Sequence, residues 1–416
     1  MKSIRESAQA MVERIIADNM PQKSVENALK AYNFKSDRVY LVAIGKAAWT
    51  MAKAASDFLG DKIEKGVVIT KYGHSGGDIP HLTIFEAGHP TPDENTVAAT
   101  NEALALVKDL QAEDKVLFLV SGGGSALFES PQDGVTLEDF VALTKDLLAS
   151  GADIVEINMI RKRLSKVKAG RFAELCKPAS VYAIVLSDVL GDRLDTIASG
   201  PAAPDESTPA DAKAIVEKYG LCLSRLQMDY LSRETPKIVD NVETTITGSV
   251  RSLCESAASC AKELGFTPYV LTTTLGCEAC ESGKFLAAIA SDTQRGQAYF
   301  QKPCAIIAGG ETVVHLKGNG MGGRNQELAL SAAKGIAGLP DTLIFSLGSD
   351  GTDGPTDAAG GMVDGNTLAC LSAEGYSIDK ILADNDSYNG LKAAGGLIIT
   401  GPTGTNVNDV AVILCK

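Results

Sequence analysis

The chain has 416 residues, of which 45% are hydrophobic and 22% charged, with a mean hydropathy of +0.05. That balance excludes disordered, fibrous and membrane-spanning classes, and the length exceeds what one core ordinarily fills, so two domains are expected. The 39 basic against 52 acidic residues leave a net charge of −13, which argues against nucleic acid as partner, because duplex binding needs a basic face.

The N-terminus, Met1-Lys2-Ser3-Ile4-Arg5-Glu6, has the form of neither a signal nor a transit peptide. Nine cysteines, an odd number, then read as reduced thiols, and a cytoplasmic location with no membrane association is expected. Residues 1–32 read as two helices, the second opening at Pro21. Val39–Ile44 reads as a buried strand, followed by Gly45-Lys46 and a helix to Phe58. The apolar runs Val67–Thr70, Leu82–Phe85, Val116–Val120 and Val181–Leu186 continue the pattern with helices between them, as in a doubly wound α/β sheet. Residues 201–240, with Pro201, Pro204, Pro209 and Pro236, read as a boundary region. A second series follows, with strand-like Pro268–Leu271, Ala305–Ile307, Leu343–Phe345, Leu397–Ile399 and Val410–Leu414, and helices near 250–264, 278–294 and 323–337. The expected division is 1–235 and 236–416, with residues 1–35 a helical segment that can pack on the C-terminal domain.

The 41 glycines, about one residue in ten against a usual 7%, gather after the strand-like runs. Gly45-Lys46, Ser121-Gly122-Gly123-Gly124-Ser125, Ser187–Asp192, Gly309-Gly310-Glu311-Thr312 and Gly348–Gly354 all stand there. Ligands bind at the carboxyl ends of strands in open α/β sheets, and glycine lets backbone N–H groups approach an anion. Ser121–Ser125 therefore reads as an anion nest, and Lys46 as a point charge for phosphate or carboxylate. No Walker loop occurs. Gly318–Gly323 contains GxGxxG before a helix, but the next strand's acid, Asp350, lies 27 residues past Gly323, longer than a dinucleotide fingerprint needs. Arg324 and Asn325 follow at that helix start. Arginine there opposes the helix dipole, so a guanidinium aimed at phosphates or a carboxylate is expected.

Arg161, Lys162, Arg163, Lys166, Lys168 and Arg171 place six cations in eleven residues, with Asn158 and Ser165 among them, and read as a positive cleft wall. The carboxylates beside the loops are Asp188, Asp192, Asp195, Asp205, Glu311, Asp350, Asp353 and Asp357, a set suited to Mg²⁺ and phosphate oxygens. The four histidines form no zinc motif, and neither a Ser–His–Asp triad nor a CxxC metal site is supported. These residues alone point to a two-domain α/β enzyme that binds anionic ligands.

Gly45-Lys46-Ala47-Ala48, Gly88-His89-Pro90-Thr91-Pro92, Ser121–Leu127, Asn158–Arg171, Ser187–Asp192, Ala198-Ser199-Gly200-Pro201, Gly309–Thr312, Gly322–Leu330 and Gly348–Asp357 together resemble the class II glycerate kinases, whose C-terminal domain is of the MOFRL type. The resemblance spans nearly the whole chain. It implies an N-terminal Rossmann-like αβα sandwich, a smaller C-terminal α/β domain and an active site between them. It implies ATP-dependent phosphorylation of D-glycerate at the 2-hydroxyl, with Mg²⁺, to give 2-phosphoglycerate and ADP.

Lys46, Arg324 and Asp188 are the catalytic candidates. Gly45, Ser121, Gly122, Gly123, Gly124, Ser125, Asn158, Arg161, Lys168, Gly310, Glu311, Gly323, Asn325, Asp350 and Asp353 are the binding candidates, and Asp188 and Asp192 the metal ligands. Arg163 stands where relatives often have His, and Ala169 where they often have Gly. The GxGxxG keeps open an NAD(P)H-dependent hydroxypyruvate reductase, and the nests a non-catalytic sugar-phosphate-binding regulator. Monomer and homodimer are both open.

Overall fold

The computed structural model describes residues 3–32, 34, 38–187, 189, 191 and 193–416. The chain is α/β throughout and divides into two units, Pro21–Thr247 and the N-terminal helix Ile4–Asp18 with Gly248–Lys416.

In the first unit the strands β1 (Val39–Ile44), β2 (Ile63–Lys71), β3 (Leu82–Ala87), β4 (Lys115–Val120), β5 (Ser180–Leu186) and β6 (Val242–Gly248) form one sheet in the order β3-β2-β1-β4-β5-β6. The pairs from β3 through to β5 are parallel. β1, β4 and β5 are almost wholly buried, which is why each is a continuous Val/Ile/Leu-rich run in sequence. Their core includes Val42, Ile44, Phe118, Val120 and Phe172, with the Phe118 and Phe172 rings 4.7 Å apart.

The second unit carries β7 (Thr267–Leu275), β8 (Cys304–Gly310), β9 (Thr342–Gly348), β10 (Gly360–Asp364), β11 (Leu397–Ile398) and β12 (Asp409–Cys415) in the order β11-β10-β9-β12-β8-β7. Only β7 and β8 pair in parallel; the other pairs are antiparallel.

Three sequence expectations need correction. The unit boundary lies at Thr247/Gly248 rather than 235/236, because β6 completes the first sheet. Residues 201–240 are part of the first unit: helices Pro209–Tyr219 and Arg225–Leu231 bury Ala212, Ile215, Tyr230 and Leu231 with Phe140, Leu147 and Ile160 in a separate helical core. The prolines there open and separate elements, with Pro209 at the first position of a helix capped by Thr208.

The N-terminal helical segment is also divided. Helix Ile4–Asp18 buries Ala8, Met11, Val12 and Ile15 and packs on helix Val250–Glu263 of the second unit. Ser252 Oγ donates to Asn19 Oδ1 at 2.7 Å, and Arg5 pairs with Asp364 at 2.7 Å. Helix Pro21–Ala31 instead packs on helix Ala48–Leu59 of the first unit, and Tyr182 donates to Ala28 O at 3.3 Å.

Candidate active site

The order of the first sheet reverses between β1 and β4, the position outside whose carboxyl ends open α/β sheets hold ligands. The two loops that leave those strands, Gly45-Lys46 and Ser121–Ser125, are tied together. Lys46 N–H donates to Gly122 O at 2.9 Å and Ala47 N–H to Ser121 Oγ at 3.1 Å, while that hydroxyl donates to Ile44 O at 3.2 Å. Gly45 has φ +110°, and a Cβ on it would lie 2.3 Å from Ser121 Oγ, so no other residue permits this approach. Gly123, at φ +85°, admits two side chains: a Cβ there would meet His89 at 3.0 Å and Lys46 Cγ at 3.3 Å.

The result is an anion nest with open valences. The backbone N–H groups of Gly122, Gly123 and Ser125 donate to no acceptor among the described residues, and Lys46 forms no ion pair with any of them. Burial pushes His89 down to about 4, with the Lys46 charge adding to the effect, so its imidazole is neutral at physiological pH. A neutral ring beside an ammonium offers a hydrogen bond without adding a second charge.

Behind the nest the basic stretch does something other than line an open wall. Lys168 and Glu129 are fully buried and paired at 3.2 Å, and Lys168 Nζ donates to Ser125 O at 2.8 Å and Phe128 O at 3.1 Å. Burial pushes Lys168 down to about 8, opposed by the Glu129 charge. Arg161 Nη2 donates to the same Ser125 O at 3.0 Å. Asn158 Oδ1 accepts from Ser199 Oγ at 3.0 Å, and Ser199 Oγ lies 2.8 Å from Ser125 Oγ. These groups hold the carbonyl and hydroxyl of Ser125. Lys162 and Arg163 are buried against Asp205, at 3.1 and 3.8 Å, and Lys166 pairs with Asp133 at 2.7 Å.

In the second unit Gly309 and Gly310 are not a loop but the end of β8. A Cβ on Gly309 would lie 2.4 Å from Val250 Cγ1, and one on Gly310 2.1 Å from Leu275 O, so these glycines serve close packing. The GxGxxG stretch is committed internally. Lys317 and Gly318 N–H donate to Asn385 Oδ1, Asn319 N–H to Asp384 Oδ1, Gly320 N–H to Asp384 O and Met321 N–H to Asp386 Oδ1. Four successive amides of the motif, at residues 318–321, are therefore already bonded.

Helix Arg324–Ala332 begins after Gly323, and its N-terminus is occupied by the chain's own carboxylate. Asp353 accepts from Asn325 N–H at 3.2 Å and Gln326 N–H at 2.9 Å, and a Cβ on Gly323 would lie 2.3 Å from its carboxyl carbon. Burial pushes Asp353 up to about 6 even so. Asn325 Oδ1 accepts from Ser346 Oγ at 2.6 Å, and Asp350 accepts from Thr352 N–H at 3.0 Å.

Arg324 is held as a clamp between two acids. It donates from Nε and Nη2 to Asp409 at 2.6 and 3.1 Å, and its Nη1 pairs with Glu311 at 3.1 Å. Asp409 had no periodic signal; only its place at the head of the apolar run Val410–Leu414 marks it. Glu129 likewise carries no signal beyond its nearness to Ser121–Leu127, whereas Ser199 stands inside Ala198-Ser199-Gly200-Pro201, one of the segments that carry the resemblance. Asp188 and Asp192 lie outside the described residues. Among the described residues no group of three His, Cys, Asp or Glu is placed to hold a metal ion.

A family model described as a domain of unknown function, DUF4147, matches residues 6–231, and the MOFRL family model matches residues 304–409. The chain is 55% identical over 411 residues to a D-glycerate 2-kinase of Thermotoga maritima, covering 99% of this chain and 98% of that protein. The chain belongs to the class II, MOFRL-type glycerate kinase family. A glycerate 2-kinase of Pyrococcus horikoshii is 41% identical over 99% of this chain and 97% of its own length. The crystal structure of the Thermotoga maritima glycerate kinase superposes with a TM-score of 0.96 over 99% of both chains.

The two departures from the family pattern have different structural weight. Arg163 is buried and donates to Met159 O and to Ser207, so it braces the 205–207 loop rather than the nest. Ala169 has φ +55°, a left-handed conformation that favours glycine, the residue the resemblance leads one to expect there.

Proposed function

We propose that this chain phosphorylates D-glycerate at the 2-hydroxyl, using ATP and releasing 2-phosphoglycerate and ADP. The identity of 55% along the whole chain to a D-glycerate 2-kinase carries the reaction. The nest of Gly122, Gly123 and Ser125 beside Lys46, which has no ion-pair partner among the described residues, supports it chemically. Phosphoryl transfer asks little covalent chemistry of the protein; it asks for positioned donors and neutralisation of spread negative charge. Lys46 supplies the charge, the three amides hold an anionic oxygen, and neutral His89 directs a substrate oxygen. Within the second unit Asp409 and Glu311 orient the Arg324 guanidinium, a planar cation suited to phosphate or carboxylate oxygens.

Mg²⁺ enters this proposal with the nucleotide as MgATP, a substrate. Asp188 or Asp192 is the proposed protein contact to that ion, and Asp188, Asp192 or Glu311 the proposed acceptor of the hydroxyl proton. A cytoplasmic site of action is part of the same reading. Among the described residues no helix is long and apolar enough to cross a membrane.

The hydroxypyruvate reductase reading loses support from its motif, since four of the GxGxxG amides, at residues 318–321, are bonded to residues 384–386. The test is to incubate the purified protein with MgATP and D-glycerate and pass the product to enolase without mutase. Immediate enolase turnover is expected. Turnover only after mutase is added, or NADH oxidation with hydroxypyruvate and no ADP formation, would overturn the proposal.

A further inference from the structure

The basic stretch has a remainder that the nest does not use. Lys166 and Arg171 line a cavity of about 590 Å³ in the first unit, together with Leu104, Ala105, Lys108 and Leu175. That volume falls within the range of small-molecule sites, about 300–1,000 Å³. The walls come from helix Glu94–Val107 with its cap Lys108, and from helix Arg171–Leu175. These helices precede β4 and β5, so the cavity lies toward the amino ends of the strands, whereas the nest follows their carboxyl ends.

The charge balance within the cavity selects a ligand class. Both of its acids have ion-pair partners: Asp133 pairs with Lys166 at 2.7 Å, and Glu174 pairs at 2.8 Å with Lys177, which it shares with Asp240 at 2.7 Å. Lys108 and Arg171 form no ion pair with any described residue, and Arg171 makes a single hydrogen bond, from Nη1 to Lys162 O. Two cations without a close ion pair among the described residues, Arg171 feeling Asp205 and Glu129 only at longer range, sit beside aliphatic walls in a chain of net charge −13. A cation kept unpaired against an overall negative field is a local anion site. From this we infer that the cavity is a second ligand site, separate from the nest, for a small organic anion: a carboxylate or phosphate held by Lys108 and Arg171, with an apolar body against Leu104 and Leu175.

The probe is phenylphosphonate, which has an apolar ring and an anionic group that cannot be transferred. Binding to the full-length protein is measured by isothermal titration calorimetry. One saturable site is expected that is unchanged in Lys46→Ala, weakened at least tenfold in Lys108→Glu and abolished in Ala105→Trp, which fills the cavity from an exposed helix position. Circular dichroism confirms that each variant folds. Loss of binding in Lys46→Ala would place the probe in the nest and overturn the inference. So would equal affinity in Lys108→Glu and Ala105→Trp, or no saturable binding by the parent protein.

Discussion

The Arg324–Asp409 pair allows a structural role to be separated from a chemical one. The guanidinium meets the carboxylate through two hydrogen bonds, of 2.6 and 3.1 Å, and the Asp409 side chain is only 8% exposed. Arg324→Ala removes the partner and leaves a buried, uncompensated charge, which costs about 3–5 kcal/mol. The unit that contains the pair has roughly 190 residues, and a domain of that size loses about 2–4 °C of melting temperature per kcal/mol. The expected drop is therefore on the order of 10 °C. Replacing both partners, as in Arg324→Ala with Asp409→Asn, removes the stranded charge, so most of that loss should return. Differential scanning calorimetry measures both variants against the parent. Turnover of D-glycerate by the double variant then reports on chemistry, because its fold is restored, and a loss of at least about a hundredfold, or roughly 2.7 kcal/mol, is expected. A single variant that melts within 2 °C of the parent, to be read against the ~10 °C expected from a stranded charge, would refute the energetic argument. So would a double variant no more stable than the single one.

What the sequence could reveal follows from which interactions are local. Val39–Ile44 has the same bounds in sequence and structure because a strand buried on both faces is a continuous apolar run. β6 was invisible for the converse reason: Thr244, Thr245, Ile246 and Thr247 are half-buried, and no apolar run marks them. β10 begins with Gly360-Gly361 because a Cβ on Gly360 would lie 2.0 Å from Ser346 O, a crowding known only once β9 is beside it. The glycine loops after β1 and β4 were legible; that they share the switch point of the sheet was not, since strand order is not written in sequence. The fate of the cations was illegible for the same reason. Glu129 and Asp205, which neutralise Lys168 and Lys162, are 39 and 43 residues away in the chain. Asp353 reads as a loop carboxylate until the helix it caps, 27 residues earlier, folds against it.

Lys46→Ala removes a cation that has no ion pair among the described residues, so stability should change by no more than about 0.5 kcal/mol while turnover falls at least about a hundredfold; a variant with near-parental turnover would remove Lys46 from the mechanism. Ala169 occupies a left-handed conformation, so Ala169→Gly should hold stability within about 1 kcal/mol, whereas the β-branched Ala169→Val should lose about 2 kcal/mol by urea unfolding, and equal stability of the two would contradict the strain. Asp353 predicts a pH dependence of known sign. Its folded value, about 6, stands above an unfolded value near 3.9, so the fold binds the proton more tightly than the unfolded chain. The stability it contributes is fully present below about pH 4 and is lost as pH rises through about 6, a change of about 3 kcal/mol for some two pH units of displacement. Other carboxylates act in the opposite direction: Glu156, held down to about 2 by Lys218 and Tyr219, contributes stability that falls away in acid. The Asp353 contribution must therefore be isolated as the difference between parent and Asp353→Asn, whose amide cannot ionise. Measured by urea unfolding from pH 4 to pH 7.5, the variant should gain on the parent as pH rises, by up to about 3 kcal/mol, whatever constant offset the lost amide contacts impose. A difference that stays flat across that range would show that Asp353 titrates as it does in the unfolded chain, and that burial at the helix N-terminus does not hold its proton.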